Sequence, residues 1–142
     1  MEEKDLLKLN NQICFPLYVA SKEVIKKYKP YLEKLNLTYT QYITMMVMWE
    51  YERINVKELG KKIFLDSGTL TPLLKKLESK NYIIRQKLKS DERSLIITLT
   101  TDGIKLKEQA KSIPLEMIKC LNLSNKELIN LKKILEKIIG EK

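Results

Sequence analysis

The chain has 142 residues, 44% of them hydrophobic and 32% charged, enough for one domain with its own core. It contains no histidine, two cysteines and four scattered glycines (Gly60, Gly68, Gly103, Gly140). A Ser-His-Asp triad, a Cys-His dyad, a histidine or four-cysteine metal site and a Gly-rich phosphate loop are therefore all excluded. The 27 lysines and arginines outnumber the 18 acidic residues, giving a formal charge of +9, a surplus that draws a protein toward polyanions, chiefly nucleic acid.

The opening MEEKDLLKL is too charged for a signal peptide, and no apolar run approaches the ~18 residues of a membrane span. A cytoplasmic protein with no membrane partner and no cofactor is expected. A first helix is expected from about Asn11 to Leu35, bent at Pro30, with Asn10 or Asn11 as its N-cap. Three later starts read as capping boxes: Thr38 to Gln41, Asn55 to Glu58 and Ser124 to Glu127. The first opens a helix to about Tyr51 that is apolar on most sides and so central. The second opens a short helix ending near Lys62, and the third a C-terminal helix with Leu128, Leu131, Leu135 and Ile138 on one stripe.

Between these, DSGTLTPLLKKLESK spaces Leu70, Leu73, Leu74 and Leu77 as one buried helical face. Two β-branched runs follow, Tyr82 to Leu88 and Ser94 to Leu99, flanking the charged turn KSDER. A further helix runs from Thr100 to about Ser112, where Pro114 interrupts the pattern. The fold expected is mainly α with a small β-hairpin: a winged helix-turn-helix over residues 38–99, flanked by dimerisation helices at 1–36 and 100–142.

The helix after Asp66 is the expected reading head. Its outward positions are Ser67, Thr69, Thr71, Pro72, Lys75 and Lys76. Small hydroxyls approach base edges, lysines neutralise phosphates, and the helix N-terminus favours a phosphate. Pro72 forfeits a bond to the carbonyl of Gly68. From Lys75 to Arg93, seven cations (Lys75, Lys76, Lys80, Arg85, Lys87, Lys89, Arg93) face three anions (Glu78, Asp91, Glu92). Double-stranded DNA with a pseudo-palindromic operator is the expected partner.

DSGTLTPLLKKLE followed by DERSLIITLTTDG resembles the reading head and wing of the MarR family of transcriptional regulators. The family's wing signature matches Asp91 and Arg93; the resemblance implies that the Asp holds the wing and the Arg enters the minor groove. It also implies a homodimer that represses transcription.

Cys14 admits two readings. As a small hydrophobe it packs a helix start. As a sensor it gains from the free N–H groups of a first helical turn, which lower a thiol pKa, and from nearby phenols such as Tyr18. NQICFPLY, KYKPYLEKLNLTYTQY and LDSGTLTPLLKKLE together are similar to the organic-hydroperoxide-sensing branch of that family. The similarity implies that Cys14 is the sensor and that Tyr28 and Tyr39 bond its sulfur from the partner subunit. It further implies that Cys120 resolves the oxidised sulfur or, alternatively, that a small thiol does so while Cys120 packs. Two other readings stay open. One is a regulator governed by a small aromatic or anionic ligand, with Cys14 structural. The other is a thiol enzyme, disfavoured because neither a CxxC nor a thioredoxin-like alternation of strands and helices is present.

Overall fold

The computed structural model describes residues 2–88 and 91–140, with the side chains of 91–93 outside the description. Two 3-10 turns, Glu3–Asp5 and Leu9–Asn11, lead into α1 (Cys14–Lys34). There follow α2 (Tyr39–Tyr51), β1 (Arg53–Asn55), α3 (Val56–Ile63), α4 (Ser67–Ser79), β2 (Ile83–Leu88), β3 (Asp91–Leu99), α5 (Thr101–Ala110), α6 (Ile113–Leu121) and α7 (Asn125–Ile139). The mainly helical winged helix-turn-helix is therefore present, with one addition. The hairpin is part of a three-stranded antiparallel sheet in the order β1-β3-β2. Ile54 of β1 pairs with Ile97 and is buried. β3 begins earlier than expected, at Asp91 rather than Ser94, and Asp91 pairs with Leu88 across a register irregularity. Lys89 and Ser90 lie outside the described residues.

The start of α1 differs from expectation. Ile13 occupies the N-cap position without a side-chain bond, and Gln12 before it is extended. Asn11 and Gln12 turn backward instead. The Asn11 amide donates to the Asp5 carbonyl at 2.9 Å, and the Gln12 amide donates to the carbonyls of Leu6 (2.6 Å) and Lys8 (2.8 Å). Pro16 falls in the first turn, where a missing N–H costs nothing. The helix then runs without interruption through Pro30.

The other caps are local chemistry. Thr38 and Ser124 form full capping boxes with Gln41 and Glu127. Asn55 accepts from the Lys57 N–H at 2.7 Å and donates to Ser94 Oγ at 3.0 Å, while no return bond from Glu58 is found among the described residues. Both α1 and α4 end in Schellman turns with asparagine in the left-handed region, Asn36 at φ 55° and Asn81 at φ 65°. In each, the next residue's N–H reaches back to a leucine carbonyl, Leu37 to Leu32 and Tyr82 to Leu77.

The core gathers around α2. Met45 and Met48 are fully buried there, packed in one cluster with Leu59, Leu70, Leu74 and Leu77 of the helix-turn-helix and Ile83 and Ile97 of the sheet. Each such side chain contributes ~1.5–3 kcal/mol by leaving water. The Trp49 indole N–H donates to the Gly103 carbonyl at 2.9 Å, tying α2 to α5. Gly103 also explains the Leu-Thr-x-x-Gly pattern. Its N–H donates to the capping Thr100 hydroxyl at 3.0 Å. A β-carbon there would lie 2.4 Å from the Tyr82 carbonyl oxygen and 2.6 Å from Leu99 Cδ1. Because that oxygen is backbone, Gly103→Ala must push α5 off the sheet. The expected cost is ~2 kcal/mol or more, read as a lower urea midpoint with an unchanged denaturant slope.

Candidate DNA-reading face and thiol sites

On α4 the four leucines Leu70, Leu73, Leu74 and Leu77 are buried, and Ser67, Thr69, Thr71, Pro72, Lys75 and Lys76 are all exposed. The amphipathic division is therefore as the spacing indicates. The helix start is less open to a phosphate than expected. Asp66 is its N-cap and accepts from the Thr69 N–H at 2.8 Å. Hydrogen bonds from Thr69, backbone first, hold that carboxyl below the ordinary carboxylate value. A phosphate approaching this end meets an anion first. Thr71 donates its hydroxyl proton to the Ser67 carbonyl at 2.8 Å, leaving its lone pairs outward.

Not all of the local positive charge faces outward. Glu78 of α4 clasps Arg85 of β2 through three bonds. The Arg85 backbone N–H reaches one carboxylate oxygen at 2.8 Å, and its Nε and terminal nitrogen reach the other at 3.1 and 3.0 Å. Arg85 thus holds Glu78 below the ordinary carboxylate value and joins reading helix to wing. Lys80 is also turned inward, onto the α1–α2 corner. Lys75, Lys76 and Lys87 remain exposed. The wing readings for Asp91 and Arg93 depend on side chains outside the described residues; of Asp91 only the backbone pairing with Leu88 is on view.

Cys14 is the first residue of α1 and is exposed. Tyr28 lies fourteen residues further along the same helix, about 21 Å at 1.5 Å per residue. One chain therefore does not bring Cys14 to Tyr28. It does bring Tyr28 and Tyr39 to each other, with ring centroids 5.0 Å apart, and packs Tyr42 against Tyr28 at 5.7 Å. Burial, then the neighbouring Tyr39 and Tyr42, push the Tyr28 phenol up to about 12. Burial likewise raises Tyr39. Tyr18 carries the Lys22 ammonium over its ring, 5.1 Å from the centroid.

Cys120, on α6, is exposed, and its sulfur lies 3.7 Å from the Tyr31 hydroxyl. Tyr31 is seventeen residues beyond Cys14, about 25 Å along α1. A disulfide needs Cα atoms within roughly 7 Å, so Cys14 and Cys120 of one folded chain do not bond to each other. Sequence reasoning missed Tyr31 and Tyr42, and counted Glu78 and Lys80 only as charges of the reading head without their bonds to Arg85 and the α1–α2 corner. For Tyr31 there was a signal: KKYKPYLEK places it one turn from Tyr28.

The family described as transcriptional regulator SarA/Rot matches residues 26–110. The organic hydroperoxide resistance transcriptional regulator of Bacillus subtilis is 48% identical over 136 residues, covering 95% of this chain and 92% of that protein. The regulator SarZ of Staphylococcus haemolyticus is 52% identical over 132 residues, covering 93% and 90%. Among solved structures, reduced AbfR bound to DNA superposes with a TM-score of 0.75 at 31% identity, covering 96% of this chain and 98% of that one. AbfR, from Staphylococcus epidermidis, is also solved overoxidised on DNA and in a disulfide form.

The phenol wall makes a prediction about pH. Raised phenol values mean that the folded chain keeps protons that the unfolded chain has already lost above pH ~10. Stability from these groups is thus complete below that value and falls as pH rises toward 12. A titration followed by phenolate absorbance should show Tyr28 ionising last, near 12, with unfolding setting in over the same range. A Tyr28→Phe protein should lose that last step.

Proposed function

This chain belongs to the SarA/Rot family of transcriptional regulators, MarR-type winged-helix proteins, and on that premise we propose that it is a DNA-binding repressor released by oxidation of Cys14. The observation that carries the reading is the packed pair Tyr28 and Tyr39, which lies about 21 Å along α1 from Cys14 of the same chain. A second copy supplies the sulfur. Apolar side chains are left uncovered near both chain ends: Ile13 and Leu17 before and within α1, Leu115 and Ile118 on α6, Ile134 and Ile138 on α7. α7 has a clear apolar stripe yet no buried residue among those described. Such faces are covered in a homodimer, which also supplies two reading heads for a pseudo-palindromic operator.

The chemistry balances without imidazole. The Cys14 thiolate attacks the terminal oxygen of an organic hydroperoxide. The O–O bond breaks, the alkoxide leaves and takes a proton as the alcohol, and the sulfur becomes a sulfenic acid. Phenol donors from the partner subunit's Tyr28 and Tyr39 favour the thiolate beforehand and lose a charged acceptor afterward. A second thiol then displaces water to form a disulfide. Cys120 of the partner subunit is available for this, since Cys120 of the same chain is out of reach. SarZ and the organic hydroperoxide resistance regulator support this function by their identity, and AbfR by its reduced, overoxidised and disulfide forms. No helix among the described residues is long and apolar enough to cross a membrane.

A second reading has its own observation. An open cleft of about 550 Å³ joins Ile25, Leu32, Leu37 and Tyr39 to Lys22, Lys26 and Lys29, whose three cations outnumber the one carboxylate, Glu33, a lining that admits a small aromatic anion. Under that reading, release from DNA is independent of sulfur.

Gel-shift binding to an inverted-repeat operator should vanish after one equivalent of cumene hydroperoxide per subunit and return with dithiothreitol. A Cys14→Ser protein should stay bound; its release by peroxide would refute the sensing role. Separately, Lys75→Ala should weaken binding to all sequences alike and lower the salt slope by about 1, measured as affinity against salt concentration.

A further inference from the structure

The residue that follows the reading helix turns back onto the body of the domain. Lys80 is the C-cap of α4. Its ammonium donates to the Asn36 carbonyl and, at 3.2 Å, to Gln41 Oε1. Both acceptors sit at the corner between α1 and α2. Asn36 is the left-handed residue that ends α1. Gln41 is buried, only 4% exposed, and the same Oε1 accepts the Thr38 N–H at 3.1 Å. The Gln41 N–H returns a bond to Thr38 Oγ1 at 3.3 Å. Tyr39, first residue of α2, stands between the two partners of this box. The oxygen that sets the start of α2 is therefore shared with the end of α4.

We propose that Lys80 is a positioning residue that couples the start of α2, and with it Tyr39, to the C-terminal end of the reading helix. The trigger rests on the sensor reading above; the coupling does not. Displacement of Tyr39 distorts the Thr38–Gln41 box. The bond from Gln41 to Lys80 then passes that distortion to α4. Close apolar packing between α2 and α4 also transmits strain, but its contacts favour no one direction. Charge-assisted bonds to two fixed oxygens are directional and stronger. Burial, then the nearby Lys76 ammonium, lowers the Lys80 pKa.

The test compares full-length wild type, Lys80→Met and Lys80→Arg. In the reduced state, Lys80→Met should bind operator within about threefold of wild type, with the same salt slope. The factor by which cumene hydroperoxide weakens binding should shrink at least tenfold in Lys80→Met and be retained in Lys80→Arg. A second measurement needs no oxidant. Operator binding to reduced wild type should slow hydrogen exchange of the Gln41 and Tyr42 amides, and Lys80→Met should abolish that slowing. If wild type is not released by peroxide, the sensor reading fails and the exchange measurement alone decides the coupling. A Lys80→Met protein whose operator-induced slowing matches wild type overturns the proposal. So does a lowered salt slope, which would make Lys80 a phosphate contact.

Discussion

An α-helix is a ruler. Advancing 1.5 Å per residue, α1 holds Cys14 and Tyr28 about 21 Å apart, and no rotation of side chains closes that distance. This separation decides what a single chain is able to do. The sulfur lies at one end of the helix and the phenol wall near the other. Cys14 and the Tyr28–Tyr39 pair of one chain therefore do not form a thiol–phenol unit, whereas Cys120 and Tyr31 meet within it. The same rigidity forbids a bridge from Cys14 to Cys120 within a chain, so oxidative chemistry and assembly become one question. Uncovered apolar residues lie on α1 and α6, the elements that carry the two cysteines, and on α7.

Around that ruler the domain is held by short, directional contacts at its corners and by apolar packing in its centre. Met45 and Met48 supply volume; the Trp49 bond to Gly103, the Thr38–Gln41 box and the Lys80 reach supply geometry. Family membership fits this division of labour. A regulator has to transmit a small change across the domain, and directional bonds between element ends fix which way such a change runs.

Much of this was legible beforehand, wherever the determining chemistry is local. Thr38 and Ser124 announce their helices within four residues, and the leucine spacing of α4 identifies its buried face without reference to anything else. Legibility failed where partners are distant or direction is ambiguous. β1 is only Arg53–Asn55, and what makes it a strand is pairing with Thr98 to Ile96, more than forty residues away. Asn11 looks like a cap because asparagine often is one, yet its amide turned toward Asp5. Arg85 was counted with the groove-facing charge because composition does not show that the Schellman turn at Asn81 swings it back onto Glu78. The roles of Cys14, Tyr28 and Tyr39 came from resemblance; the geometry of one chain adds that Cys14 stands about 21 Å along α1 from the tyrosine pair.

The clasp between Glu78 and Arg85 has a mechanical consequence. It ties the first strand of the wing to the reading helix by three bonds, so that a rotation of one carries the other with it as a single lever.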